Sequence, residues 1–249
     1  MLMGYNAKKD LYELVDRVRR NAGISIGTPI RVLSLCQTLR DVSVVFHEFD
    51  TQGFCGAAFA GPKENTIVLN NTRSRIEQNF DCGHELIHLL KHRGLNGGIF
   101  QCFSTQNSFL EWEANEGSAQ LIVPYQDFIP RFVSCLQSNY PVWGIQEELA
   151  EFYGVSSQVI RIRLNSLSYE IDQYRRGVPP GRARTVVAIK TAEARYSSNL
   201  LRRPLGLSFG LVLNNWLTDD LRKIRRRLRI SLCAPLPVSR HGGKMKKPR

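Results

Sequence analysis

The sequence predicts an α+β fold, and three observations predict it. Apolar residues recur at helical spacing in several separated segments. Three short runs between Val42 and Asn70 have strand character. The segment Asp81 to Leu90 carries Leu86, Ile87, Leu89 and Leu90 around two histidines set four apart, the pattern of a buried helix with one polar face.

Lys8 to Asn21 reads as an amphipathic helix, with Leu11, Leu14, Val15 and Val18 on one stripe. A second helix is expected from Thr28-Pro29, a capping residue followed by proline at the first helical position, with Val32, Leu35, Cys36 and Leu39 as its apolar stripe. Val42 to Phe46, Phe54 to Phe59 and Thr66 to Asn70 are strand candidates and imply a small antiparallel or mixed sheet. Residues 71–74 turn the chain into the histidine helix, which ends at Lys91-His92-Arg93-Gly94. Asn96 to Ser108 reads as a loop. Leu110 to Val123 reads as a helix ended by Pro124, and Tyr125 to Leu136 as another. Residues 146–174 have the form of a helix-turn-helix: a break at Gly154, a cap at Ser156, and a second helix running on through Leu164, Leu167 and Ile171. Arg161 and Arg163 are offset by Glu147, Glu148, Glu151, Glu170 and Asp172, so packing or partner docking suits this pair better than reading DNA.

His84-Glu85-Leu86-Ile87-His88 is an H-E-x-x-H sequence. On a helix the two imidazoles stand about 40° apart in azimuth and about 6 Å apart along the axis, so both reach one ion. Glu85 flanks that face, where a carboxylate can take a proton from a water that zinc has made acidic. A catalytic zinc takes three protein ligands, so a third is expected from a helix downstream. The segment 110–124 offers Glu111, Glu113 and Glu116, of which Glu113 and Glu116 share a face. His92 continues the spacing from His84 and His88 and is a candidate cleft residue. Tyr125, Tyr140 and Tyr153 join it as candidates for stabilising an oxyanion. His47 stands alone in a strand pattern and is read as a packed or surface residue, and Cys82 as an ordinary thiol.

A chain of 249 residues can bury a sizeable core. Its six cysteines are scattered with no C-x-x-C pair, and the N-terminal residues lack the order of a signal peptide. The expectation is a cytoplasmic protein with reduced thiols and no membrane span. The net charge of +12 is unevenly placed. Residues 1–174 hold 15 Lys+Arg against 19 Asp+Glu, a net −4, and residues 175–249 hold 19 against 3, a net +16. A boundary near Arg176 to Gly181 follows.

Two segments together resemble the ImmA/IrrE metallo-endopeptidases. Asn79 to His88 is similar to that family's R-F-x-x-A-H-E-x-x-H, and Glu113 to Pro124 to its E-A-N-x-F-A-x-x-L-L-M-P. The pattern from Leu149 to Leu164 is similar to the helical segment that follows. The resemblance implies a zincin-like domain over residues 1–141, a helix-turn-helix-like segment over 142–176, and a Zn2+ site. Carried over, His84, His88 and Glu113 are the metal ligands and Glu85 is the catalytic base. The implied substrate is a protein, a helix-turn-helix repressor of a mobile element or stress regulon. Asn79, Gly83 and Gly117-Ser118 depart from the pattern, where Arg, Ala and Phe-Ala are usual. In zincins an extended substrate can lie along a sheet edge, and Thr66 to Asn70 is the expected edge here.

The resemblance leaves 177–249 uncovered. This basic tail is read as a weakly ordered extension. The runner-up is a nucleic-acid arm built on Arg222 to Arg229, the only route by which nucleic acid enters as a partner. The competing function is a non-catalytic, metal-stabilised module that sequesters a transcription factor. Glu85 argues against it, since a binding-only protein has no use for a base beside a water.

Overall fold

The computed structural model describes residues 7–49, 53–103, 109–137, 141–183 and 185. Tyr140 and the basic tail from residue 186 onward lie outside the described residues. The helices are α1 (Ala7–Asn21), α2 (Val32–Thr38), α3 (Arg75–Lys91), α4 (Phe109–Ile122), α5 (Tyr125–Cys135), α6 (Val142–Tyr153), α7 (Ser157–Ser166) and α8 (Ser168–Arg175). The strands are β1 (Val42–His47), β2 (Phe54–Ala60), β3 (Asn65–Asn70) and β4 (Ile99–Phe103).

The architecture is mixed α+β around a four-stranded sheet of order β1-β3-β2-β4. β1 pairs with β3 in parallel, and β2 is antiparallel to both β3 and β4. β3 is therefore interior, and the expectation that Thr66 to Asn70 forms an open edge is corrected: β4 is the edge beside α3. The loop expected over 96–108 contains that strand. Its sequence, Ile-Phe-Gln-Cys-Phe, is short and follows two glycines at positive φ, so its strand character comes from pairing with β2 rather than from local pattern.

The sheet buries both faces. Ala58, Ala60, Ile67 and Leu69 face α3 in the main core, while Ala57, Phe59 and Val68 join Phe49 and Phe54 in a second cluster. A bulge between Phe54 and Gly56 puts Phe54 on that second face, out of step with the simple alternation.

α3 starts at a capping box. The Ser74 hydroxyl accepts from Glu77 N–H, and the Glu77 carboxylate accepts from Ser74 N–H. Most of its length is buried, including all residues from Asp81 to Leu89. Asn79, which stands where the family has Arg, accepts from Val32 N–H at 2.7 Å and donates to Ile30 O. It thereby caps α2 from another helix. This is why α2 begins at Val32 rather than at Thr28-Pro29: the orphan N–H group finds its acceptor in tertiary structure instead of in a local cap.

α4 runs antiparallel to α3, and the other two departures from the family pattern meet at this contact. A Cβ at Gly83 would collide with the Ser118 hydroxyl, which donates to Phe80 O at 2.9 Å, and one at Gly117 would come within 2.9 Å of Ile87. Gly83 and Ser118 thus form one complementary pair in place of two alanines. Gly83→Ala is expected to destabilise the protein in its own background, because overpacking costs about 1–3 kcal/mol against the ~1 kcal/mol gained in helix propensity. In a Ser118→Ala background the same substitution should stabilise. Urea denaturation of the four chains checks this, and the same sign in both backgrounds would refute the pairing.

The segment 142–176 shares the main core with the rest of the fold through Ile145, Leu149, Ala150, Tyr153, Val155, Ile160 and Leu167. Gly154 takes the left-handed conformation at φ 66°, and the Ser156 hydroxyl accepts from Val159 N–H. The single helix expected beyond Ser156 is broken at Leu167 into α7 and α8. Arg163 faces inward. It donates to Val123 O, Tyr12 OH, Glu116 and Gln120 at 2.5–3.1 Å and is 1% exposed. Glu170 likewise turns inward to Lys8 at 2.9 Å. Among the described residues no helix is long and apolar enough to cross a membrane.

Candidate active site

The buried middle of α3 brings His84, Glu85 and His88 against the first turn of α4. His84 Nε2 and His88 Nε2 lie 3.1 Å apart. The Glu111 carboxylate faces both, with Oε2 3.1 Å from His84 Nε2 and Oε1 3.4 Å from His88 Nε2. These three residues present ligand atoms that all lie within 4.8 Å of one another. Glu113, the carboxylate selected by the family pattern, is not among them. It sits 2.9 Å from His92 Nε2 and 3.2 Å from Lys91 Nζ. Glu116 is turned the other way, to Tyr12 and Arg163.

The antiparallel packing of α4 on α3 accounts for this division. Glu111 and Asn115 are one turn apart and lie over His84, whereas Glu113 reaches the C-terminal end of α3. Asn115 Oδ1 is 3.1 Å from His84 Nδ1. An amide oxygen only accepts, so His84 donates to Asn115 from Nδ1 and turns Nε2 toward Glu111 and His88. The sequence reading does not single out Asn115 as a site residue. Its place in the Glu-Ala-Asn motif, four after Glu111, is the signal that would have found it.

Glu85 is fully buried, and neither of its carboxylate oxygens has a hydrogen-bond partner among the described residues. Its side chain lies against β2 at Gly56, where a Cβ would stand 3.4 Å from Glu85 Cγ and 2.9 Å from Val68 O. Glycine there opens room for the carboxylate. Cys102 on β4 and His84 complete its surroundings. Burial, followed by the negative charges of Glu111 and Asp81, pushes the Glu85 carboxyl well above the usual range. Burial acts on Glu111 in the same direction, but the neighbouring His84 and His88 outweigh it and hold that carboxyl at about 2. Burial depresses His88. At neutral pH Glu111 is therefore a carboxylate, the form that binds a metal.

The other candidates lie elsewhere. His92 is 2% exposed and has both ring nitrogens engaged, with His88 and with Glu113, so it does not open onto a cleft. Tyr125 stacks on Tyr12 at 5.4 Å, toward α1. Tyr153 donates to Asp127 at 2.6 Å. Cys82 is buried with its Sγ 3.8 Å from that of Cys36, and His47 packs edge-on against Phe49.

Residues 39–165 match the family described as peptidase M78, IrrE N-terminal-like domain. The chain belongs to the ImmA/IrrE family. A curated relative, the phage-like element PBSX protein XkdA of Bacillus subtilis (strain 168), is 32% identical over 136 residues, which are 55% of this chain and 61% of the relative. The chain thus spans about three fifths of that relative's length. A solved structure described as a Mycobacterium tuberculosis transcriptional regulator overlays at TM-score 0.44 with 19% identity, covering 64% of this chain and 47% of that one. M78 peptidases are metal-dependent, and the donor set of this ImmA/IrrE chain fits a cation: ligand atoms of His84, His88 and Glu111 lie together beside Glu85, a buried carboxylate without a hydrogen-bond partner among the described residues.

Proposed function

We propose that the protein is a zinc-dependent endopeptidase of narrow specificity, with His84, His88 and Glu111 as the metal ligands and Glu85 as the base. The observation that carries this reading is the convergence of His84 Nε2, His88 Nε2 and the Glu111 carboxylate, 3.1–3.4 Å apart, on one side of α3. Tetrahedral zinc takes such nitrogen and carboxylate donors and keeps a fourth position open. A zinc ion held by His84, His88 and Glu111 would supply Lewis acidity toward a water and a peptide carbonyl. Glu85 supplies the proton acceptor, in a pocket that burial and Gly56 keep dry and close. β4 supplies the place for the substrate. It is the sheet edge beside α3, and its Phe100 ring stacks on His88 at 4.7 Å. A peptide added in register to β4 lies over the three ligands.

Backbone pairing selects little, so the target is set by a second contact. The substrate class we favour is a helix-turn-helix repressor, bound in the cytoplasm. Exposed Val142, Trp143, Ile162 and Tyr169 on α6 to α8 offer a surface for it. The test is to purify the chain after expression with a candidate repressor encoded nearby. About one zinc per chain and discrete shortening of the repressor are expected. Glu111→Ala should lower zinc affinity more than 100-fold, beyond the roughly 10–100-fold range of outer partners, and stop the cleavage. Tight repressor binding without a cut in zinc-replete protein would instead support the sequestering module.

A further inference from the structure

We propose that Glu113 and His92 form a positioning relay that fixes the tautomer of His88, so that His88 meets the metal with a lone pair. The proposal rests on the metal site put forward above, and it concerns residues that the ligand set does not use.

The chain of contacts is continuous. Lys91 Nζ lies 3.2 Å from Glu113 Oε1, Glu113 Oε2 lies 2.9 Å from His92 Nε2, and His92 Nδ1 lies 2.9 Å from His88 Nδ1. Direction follows from the far end. The Glu113 carboxylate accepts from Lys91 and can only accept from His92, so His92 carries its proton on Nε2. His92 Nδ1 is then a lone pair, and the 2.9 Å contact requires His88 to donate from Nδ1. His88 Nε2 is left bare, facing His84 Nε2 and Glu111. A single proton on the other nitrogen of His92 would reverse every step and place a hydrogen where the ion binds.

Among the described residues no other contact of His88 selects a proton on Nδ1. Phe100 stacks on His88 with an interplanar angle of 13° and holds the plane of the ring, but stacking does not tell its two nitrogens apart. His84 has a simpler device, the Asn115 amide oxygen. His88 lies deeper, against α3's own C-terminal turn, and its outer nitrogen meets a second histidine, which can donate or accept. A carboxylate one step further out removes that ambiguity. The relay is buried throughout, with His88 1%, His92 2% and Glu113 4% exposed, so water does not compete for these bonds. Outer partners of this kind orient ligands and raise their basicity. This role also explains why Glu113 stands in the motif without touching the ligand nitrogens.

The test combines two measurements on the full chain. Long-range ¹⁵N–¹H correlation spectra of ¹⁵N-histidine-labelled, zinc-stripped protein report which nitrogen of each ring is protonated. Zinc titration gives affinity. The unsubstituted chain is expected to show His84 and His88 protonated on Nδ1 and His92 on Nε2. Glu113→Ala and His92→Phe should each give His88 a mixed tautomer and lower zinc affinity about 10–100-fold, less than Glu111→Ala does. His88 protonated on Nε2 in the unsubstituted, folded chain would overturn the relay, and this reading requires no variant to fold. A loss in Glu113→Ala equal to that in Glu111→Ala would also overturn it, by making Glu113 a ligand. The expected tautomers in a chain that takes up no zinc would uphold the relay and remove the metal reading instead.

Discussion

Glu85→Gln is expected to retain one zinc per chain and to lower peptide-bond cleavage by about 10²–10⁴-fold, the usual contribution of a general base. Glutamine has the same shape and fills the space opened by Gly56, so the packing against β2 survives. What is lost is a site for a proton. Both oxygens of Glu85 are buried without a hydrogen-bond partner among the described residues, which is costly unless the group has another use. The measurements are metal content and the initial rate of repressor shortening. A variant that cleaves at the original rate would dismiss Glu85 as the base, and one that loses its zinc would make Glu85 a ligand.

The largest effect on stability is expected from Arg163→Met. Its guanidinium sits inside the protein, 2.6 Å from Glu116 and in contact with Tyr12, Gln120 and Val123 O, and so joins α7 to α4 and α1. Burial lowers the charged form of Arg163, but Tyr12 and Glu116 outweigh it, and the Glu116 carboxyl is in turn held down chiefly by Arg163 against its own burial. Removing one partner strands the other charge, a loss of about 3–5 kcal/mol. For a protein of this size that is roughly 10 °C in melting temperature. Glu116→Gln in the same chain should recover much of the loss, because the stranded charge is gone. If the double variant melts as low as the single one, the cost lies in packing rather than in the ion pair.

The sequence by itself determined what depends on near neighbours. α1, β1, α3 and α5 are legible from their own apolar patterns, β2 and β3 as short apolar runs and α4 as a segment ended by Pro124, and the break at Gly154 with a cap at Ser156 is written in two residues. His84 and His88 share a face wherever that segment is helical, so their pairing needed no tertiary information.

Tertiary structure decided the rest. β4 is a strand because β2 offers it an unpaired edge, and α2 starts where Asn79 of another helix supplies an acceptor. The face of α4 turned to the histidines could not be read from spacing. Glu111 and Glu113 are the same residue type and both near α3, and only the antiparallel seating of α4, with Gly83 and Gly117 admitting Ser118 and Ile87, sends the first to His84 and the second to His92. Arg163 looked like a surface charge because its partners lie 40–151 positions away along the chain, and a buried ion pair exists only where the fold brings both halves together and excludes water from them.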